Sequence, residues 1–394
     1  MTPALSMFQS LPEHIVKKII SFSLTTYERD FERYPQSGLS LMHSCQRWRE
    51  VFLRAVCSEL TLDYSDEEFT FALGGSSYSL EMPQFPFTDY VKTVWLRYEL
   101  LPYFYDKETV DSFLSSDYAN RVFAAARRLE IEYADTTDKE PTGIFVETSQ
   151  ETLQALENLK EFLLRFKHNM PNVAGIGFEW GLDVSEKTDE KFIRAFDALV
   201  SEVTAGVKDV SLNNKRDPAA FLQVDNGAFS GLTRFQYSFF DEDPRGLEII
   251  RRNSSTLQTF VADCMPGKAI DQMLYWDSGD PVVYSSLATL EFFYPTQQIV
   301  SDDDDCSCHF PALKKLDVYG ANPMLSRAFF NGNKVLEWLR LWDTYDDAQG
   351  INSQQQFKSQ SLGNLKYLAL DYKYNPMIGP YVADPQAVDR YAEL

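Results

Sequence analysis

The densest run of side chains able to do chemistry is Asp302-Asp303-Asp304-Asp305-Cys306-Ser307-Cys308-His309, where carboxylates, thiols and an imidazole stand side by side. A structural zinc site needs four ligands in a tetrahedron. Cys306, Cys308 and His309 supply three at most, and no Cys-x-x-Cys pair completes the set. The run reads as an acidic, solvated loop with incidental metal capture at most, so no metal site is expected. Nucleophilic catalysis needs a nucleophile, a base and a group that orients the base. The chain has only four histidines, His14, His43, His168 and His309, and it contains neither a Gly-x-Ser-x-Gly elbow nor a phosphate-binding Gly-Lys loop. His168 falls at the end of a helical pattern, where a cation complements the helix dipole. Gly175-Ile176-Gly177 lacks the third glycine of a dinucleotide fingerprint and lies on a strand pattern rather than after one. No catalytic residue and no cofactor are expected. The chain reads as a binding protein rather than an enzyme.

Charge narrows the partners. Lys and Arg total 37 against 58 Asp and Glu, a net charge of −21. Such a field repels polyanions, so neither nucleic acid nor a membrane surface is an expected partner. Acidity keeps an aromatic-rich chain soluble, and it favours a protein partner with basic residues. No run of about 18 apolar residues is present, so no transmembrane helix is expected. Met1 to Ser10 shows neither a basic segment nor a long apolar one, so no secretory signal is expected. The five cysteines, Cys45, Cys57, Cys264, Cys306 and Cys308, are odd in number and sparse, which fits a reduced chain in the cytoplasm, the nucleus or both.

What must position any binding residue is a repeated unit, apolar-x-x-apolar-x-apolar. It begins at Cys57, Val91, Ala126, Val173, Val207, Leu232, Leu257, Leu287, Leu313, Leu336 and Leu365. The starts from 91 to 365 are nine steps over 274 residues, about 30 per step. In a strand, positions four and six point to one side and positions three, five and seven to the other. The segments between several copies read as amphipathic helices, at 110–126, 152–167, 190–203, 247–252 and 324–330. Strand plus helix, repeated, predicts an α/β fold: a curved parallel sheet with outer helices.

Positions three, five and seven would face the partner. They include Trp95, Arg97, Arg128 and Glu130 early in the chain, and they become aromatic in the last four copies. Phe293, Tyr319, Trp338, Arg340 and Trp342 are the expected substrate-binding residues, since Trp, Tyr and Arg dominate binding hot spots. The tail, 373–394, is itself aromatic.

A separate helical unit precedes the repeats. Leu11 and Pro12 open the run LPEHIVKKIISF, whose Ile15, Val16, Ile19 and Ile20 form an apolar stripe. A second helical pattern runs from Leu39 to Val56 and carries Cys45-Gln46-Arg47-Trp48. This Leu-Pro start, aliphatic helix and Cys-Arg-x-Trp-like element resemble an F-box, over about 45 residues. The repeats resemble a degenerate leucine-rich repeat array. That family's ninth-position Asn or Cys is replaced here, for example by Glu99, Ala134, Gly181, Lys215 and Phe240. The two resemblances together match the F-box/leucine-rich repeat arrangement found in fungi and other eukaryotes. They imply a module at 1–56 that docks a Skp1-like adaptor through Leu11, Pro12, Ile15, Val16, Ile19, Cys45 and Trp48. They imply an array at 57–372 that holds a protein substrate for a Skp1-cullin-F-box ubiquitin ligase. The rival expectation is a leucine-rich repeat scaffold whose N-terminal helices are only a cap, with no ligase role.

Overall fold

The computed structural model describes residues 58–65, 68–73, 76–79, 90–98, 107–133, 150–180, 190–214, 229–239, 244–265, 267–293, 308–319, 335–342 and 364–371. The chain forms two compact units, divided between Leu232 and Thr233, and the repeat pattern runs through both.

The first unit contains β1 (Glu59–Ser65), β2 (Glu68–Leu73), β3 (Ser76–Ser79), β4 (Thr93–Tyr98), α1 (Lys107–Leu114), α2 (Asp117–Ala125), β5 (Arg128–Tyr133), α3 (Gln150–Asn169), β6 (Gly175–Trp180), α4 (Glu190–Thr204) and β7 (Asp209–Asn214). Its strands lie in the order β7-β6-β5-β4-β1-β2-β3. β1 and β4 to β7 pair in parallel, while β2 and β3 turn back antiparallel. The second unit contains β8 (Arg234–Ser238), α5 (Pro244–Arg252), β9 (Thr259–Asp263), α6 (Gly267–Leu274), β10 (Thr289–Phe293), β11 (Lys315–Tyr319), β12 (Trp338–Trp342) and β13 (Tyr367–Asp371). Its six strands are all parallel and follow chain order.

The repeat pattern sets the pairing. The fourth positions Leu60, Val94, Leu129, Ile176 and Val210 stand opposite one another across the first unit. Phe235, Phe260, Leu290, Leu316, Leu339 and Leu368 do the same in the second. All of these but Leu368, whose side chain is not described, are buried, and so are the sixth positions from Leu62 and Leu96 to Phe292 and Val318. A slip by one residue would turn this apolar set to the other face, so burial fixes the register.

The helices bury matching stripes. α3 buries Ala155, Leu156, Leu159, Phe162, Leu163 and Phe166, a three-and-four spacing. α4 buries Phe192, Phe196, Leu199, Val200 and Val203. The helix expected over 110–126 is two helices. Ser116 is extended at φ −69° and ψ 147°, and its hydroxyl accepts from the Ala119 amide at 3.1 Å, starting α2 afresh. The helix expected at 247–252 starts earlier, at Pro244, which suits a first turn. The β2–β3 pair and α6 were not anticipated. The run expected at 324–330, the N-terminal 1–57 and the tail 373–394 lie outside the described residues.

Among the described residues, the backbone ties neighbouring copies together at the second position of the repeat. The Lys92 carbonyl accepts both the Arg127 and Arg128 amides, at 2.8 and 3.1 Å. Ser58, Arg127, Thr233, Gln258, Ala288, Lys314 and Glu337 each accept the equivalent pair of amides from the next copy. The groups are main-chain, so this ladder survives while the side chains diverge.

One close approach makes a stability test. A Cβ built on Gly246 of α5 would lie 2.4 Å from Cε1 of Tyr237, a fully buried ring. Gly246→Ala gains at most about 1 kcal/mol of helix propensity but overpacks a ring with nowhere to go, a cost of about 1–3 kcal/mol. Net destabilisation, read from the urea midpoint, is the expected result.

Candidate functional site

The face opposite the core carries the candidate binding residues, in rows that run across the strands. Parallel strands in register set equivalent residues about 4.8 Å apart. Phe293, Tyr319 and Trp342 form one row on β10, β11 and β12. Glu291, Asp317 and Arg340 form the next. Thr289, Lys315, Trp338 and Tyr367 form the third, which reaches β13. The five residues singled out in the sequence are thus neighbours on three adjacent strands. The side chain of Trp342 is outside the described set; its place follows from the backbone pairing.

The aromatic members pack on one another while keeping surface open. Trp338 stacks on Tyr367 with ring centroids 3.5 Å apart and planes at 12°. Phe293 and Tyr319 lie 6.1 Å apart, tilted by 33°. Phe293 is 37% exposed and Tyr367 is 38% exposed. Beside them the Lys315 ammonium donates to Glu291 Oε1 at 2.6 Å and lies 3.9 Å from Asp317 Oδ2. Tyr367 belongs with this patch. Its pairing with Trp338 follows only once the β12–β13 register is known.

The face is not uniformly open. Val261 and Ser238 in the second unit, and Ser211 in the first, are buried although they occupy outward positions. Val261 is a short side chain between the longer Gln236 and Glu291, and Ser238 stands beside Asp263.

The same face of the first unit carries an ionic lattice. Arg97 of β4 donates to Glu132 of β5. Arg128 of β5 pairs with Glu130 and reaches over β6 to Asp209 of β7, where Nη1 and Oδ1 are 2.7 Å apart. Burial opposes the Arg128 charge, but Glu130 and Asp209 outweigh it and raise the guanidinium above its ordinary value. Gly175 and Gly177 make this span feasible. A Cβ would lie 2.8 Å from Arg128 Nη1 at the first and 1.6 Å from Glu130 Oε2 at the second. The glycine pair is therefore floor space for ion pairs.

Among the described residues, the remaining candidates form no reactive constellation. His309 is buried, with Nδ1 2.8 Å from the Val282 carbonyl and its ring edge-on to Tyr275 at 5.0 Å. It serves the core rather than a loop; the run before it, 302–307, lies outside the described residues. Cys264 adopts φ 52°, and burial, with Asp263 beside it, pushes its thiol up to about 11, which suppresses the nucleophilic thiolate at neutral pH. An open groove of about 1190 Å³ lies among α1, α2 and the end of α3, and its polar lining includes Asp111, Glu161, Arg165, Lys167 and His168. Arg165 is paired with Asp111 and with Glu161, and the Lys167 ammonium donates to the Ala205 carbonyl at 2.6 Å.

No protein-family model matches the chain, nor does any curated protein sequence. A crystal structure of a protein from Bacteroides fragilis matches with a TM-score of 0.24 and 11% identity, covering 58% of this chain. The match spans about half of that protein, 52% of its length. The residues expected to dock a Skp1-like adaptor, Leu11, Pro12, Ile15, Val16, Ile19, Cys45 and Trp48, lie outside the described residues.

Proposed function

We propose that the chain is a substrate-recognition adaptor of a Skp1-cullin-F-box ubiquitin ligase. In this reading the N-terminal module holds Skp1, and the outward rows of β10–β13 hold a protein substrate. The observation that carries the substrate-binding half is the in-register patch of Phe293, Tyr319, Trp338 and Tyr367, two aromatic rows with Glu291, Asp317 and Arg340 in the row between them. Large aromatic side chains beside arginine are the make-up of a protein-binding hot spot. The ligase half is supported by the F-box-like residues Leu11, Pro12, Cys45, Arg47 and Trp48. Such an adaptor supplies no catalytic group. It raises the effective concentration of substrate at the ligase.

Two arms of one experiment test the halves separately. With purified Skp1, Leu11→Ala/Pro12→Ala in the full chain is expected to weaken binding while the urea midpoint stays in place. With substrate captured by the wild-type chain, Trp338→Ala/Trp342→Ala is expected to cost about thirtyfold or more in affinity, the scale of a hot spot, and to leave Skp1 binding unchanged. A wild-type chain that does not bind Skp1 sinks the ligase reading and leaves the leucine-rich repeat scaffold.

A further inference from the structure

A second contact surface lies away from the sheet face, on the turn between α6 and β10. The sequence Trp276-Asp277-Ser278-Gly279-Asp280 forms a tight hairpin loop. The Gly279 amide donates to the Trp276 carbonyl at 2.8 Å, and the Trp276 amide donates to the Asp280 carbonyl at 2.8 Å. Gly279 has φ 84°, the left-handed conformation that closes a type I turn with a bulge. Tyr275 and Pro281 form an antiparallel bridge beneath it. The base is anchored in the core: the Val282 amide donates to the Leu274 carbonyl at 2.7 Å, and the Tyr284 hydroxyl donates to the Met273 carbonyl at 2.9 Å. The loop is therefore held in shape before any partner arrives.

What it displays is unusual for a loop tip. Trp276 is 42% exposed and Val283 is 45% exposed. The Arg251 guanidinium lies 5.9 Å from the centre of the Trp276 ring. It is fixed by hydrogen bonds to the Gln272 carbonyl and by a 3.2 Å pair with Asp277. The Asp277 side chain is otherwise 96% exposed. Asp280 accepts from the Ser278 hydroxyl at 2.8 Å. An indole that already holds one cation and two carboxylates thus share one rigid tip, and Val283 is exposed at the anchored base below it.

We propose that this turn docks a protein segment in which Arg or Lys alternates with apolar residues. A partner cation would meet the open part of the indole and the Asp280 carboxylate, and would share Asp277 with Arg251; the ring quadrupole and the excess carboxylate favour it. The neighbouring apolar residue would cover Val283. The preformed turn lowers the ordering cost of binding. The proposal is independent of the ligase reading, since it concerns other residues and needs no Skp1.

The test uses the full chain and a fluorescein-labelled dodecapeptide of alternating Arg and Leu, read by polarisation, with the Glu–Leu peptide as control. The wild-type chain is expected to bind the Arg–Leu peptide in a salt-dependent way. Trp276→Ala should weaken it about thirtyfold, while Trp276→Phe, which keeps an aromatic face, should retain most of the affinity. Asp277→Asn/Asp280→Asn should also weaken it. Glu157→Gln/Glu190→Gln, which removes the same charge from the exposed faces of α3 and α4, should not. Melting curves of all variants should coincide, because every changed side chain is exposed. The idea is overturned if the Arg–Leu peptide does not bind, if the Glu–Leu peptide binds equally, or if Trp276→Ala has no effect. Equal losses in the two charge-matched doubles would also overturn it, since the long-range field would then be the cause. So would a wild-type chain that dimerises through Trp276, the occupant then being a second copy.

Discussion

Leu316→Ala should lower the free energy of unfolding by about 2–5 kcal/mol, the cost of emptying a fully buried leucine site. Leu316 has no exposed surface and stands between Leu290 and Leu339 on the covered face of β11. Its neighbour Lys315 makes the contrast. Lys315 points to the other face, half-exposed, and pairs with Glu291 at 2.6 Å. Partly solvated pairs of this kind contribute about 0–1 kcal/mol, so Lys315→Ala should shift the urea midpoint far less. Comparable shifts in the two variants, at unchanged slope, would mean that the strand presents the wrong face. Because the register aligns six strands, such an error would displace Phe293, Trp338 and Tyr367 from the outward face together.

Phe166→Ala should be costlier still, about 3–5 kcal/mol, as for large aromatic truncations in packed cores. The ring of Phe166 lies 4.9 Å from that of Phe162, 5.7 Å from Phe123 and 6.3 Å from Phe113. One side chain of α3 thereby touches both α1 and α2, and its loss leaves a void lined by three rings that cannot close in at once. His168→Ala, two residues on and exposed, is the control and should be nearly neutral. A small effect at Phe166 would show that α1 and α2 are held by something other than this cluster.

Much of the strand plan was legible because one physical demand repeats. Positions four and six must be dry, and eleven copies of that demand mark the strands from Leu60 to Leu368. Helices were legible where the stripe is long, as in α3 and α4. The expected helix at 110–126 was too long because apolar spacing does not register a serine that prefers to cap: Ser116 sits within the pattern and interrupts it. β2 and β3 escaped because their alternation, Phe69, Phe71, Leu73, does not use the repeat spacing. Gly175 and Gly177 were weighed as a ligand motif, yet their meaning lies in Arg128 and Asp209, which are far from them in sequence and adjacent only once β5, β6 and β7 pair. His309 was read with the acidic residues before it, but its ring bonds Val282. The aromatic patch was legible from parity alone. The Trp276 turn lies outside the repeat spacing, although Trp-Asp-Ser-Gly-Asp carries the residues a tight turn requires.

The carbonyl ladder has a bearing on how such a chain can change over generations. Its cement is the same atom set in every amino acid but one. Substitutions at Lys92, Arg127, Ala288 or Lys314 leave the donor and acceptor in place whatever the side chain, whereas proline deletes the donor. The joints between copies are thus blind to nearly every point mutation. Neighbouring outward residues are correspondingly free to be rewritten, and a lineage can exchange one partner for another without first rebuilding the frame that displays it.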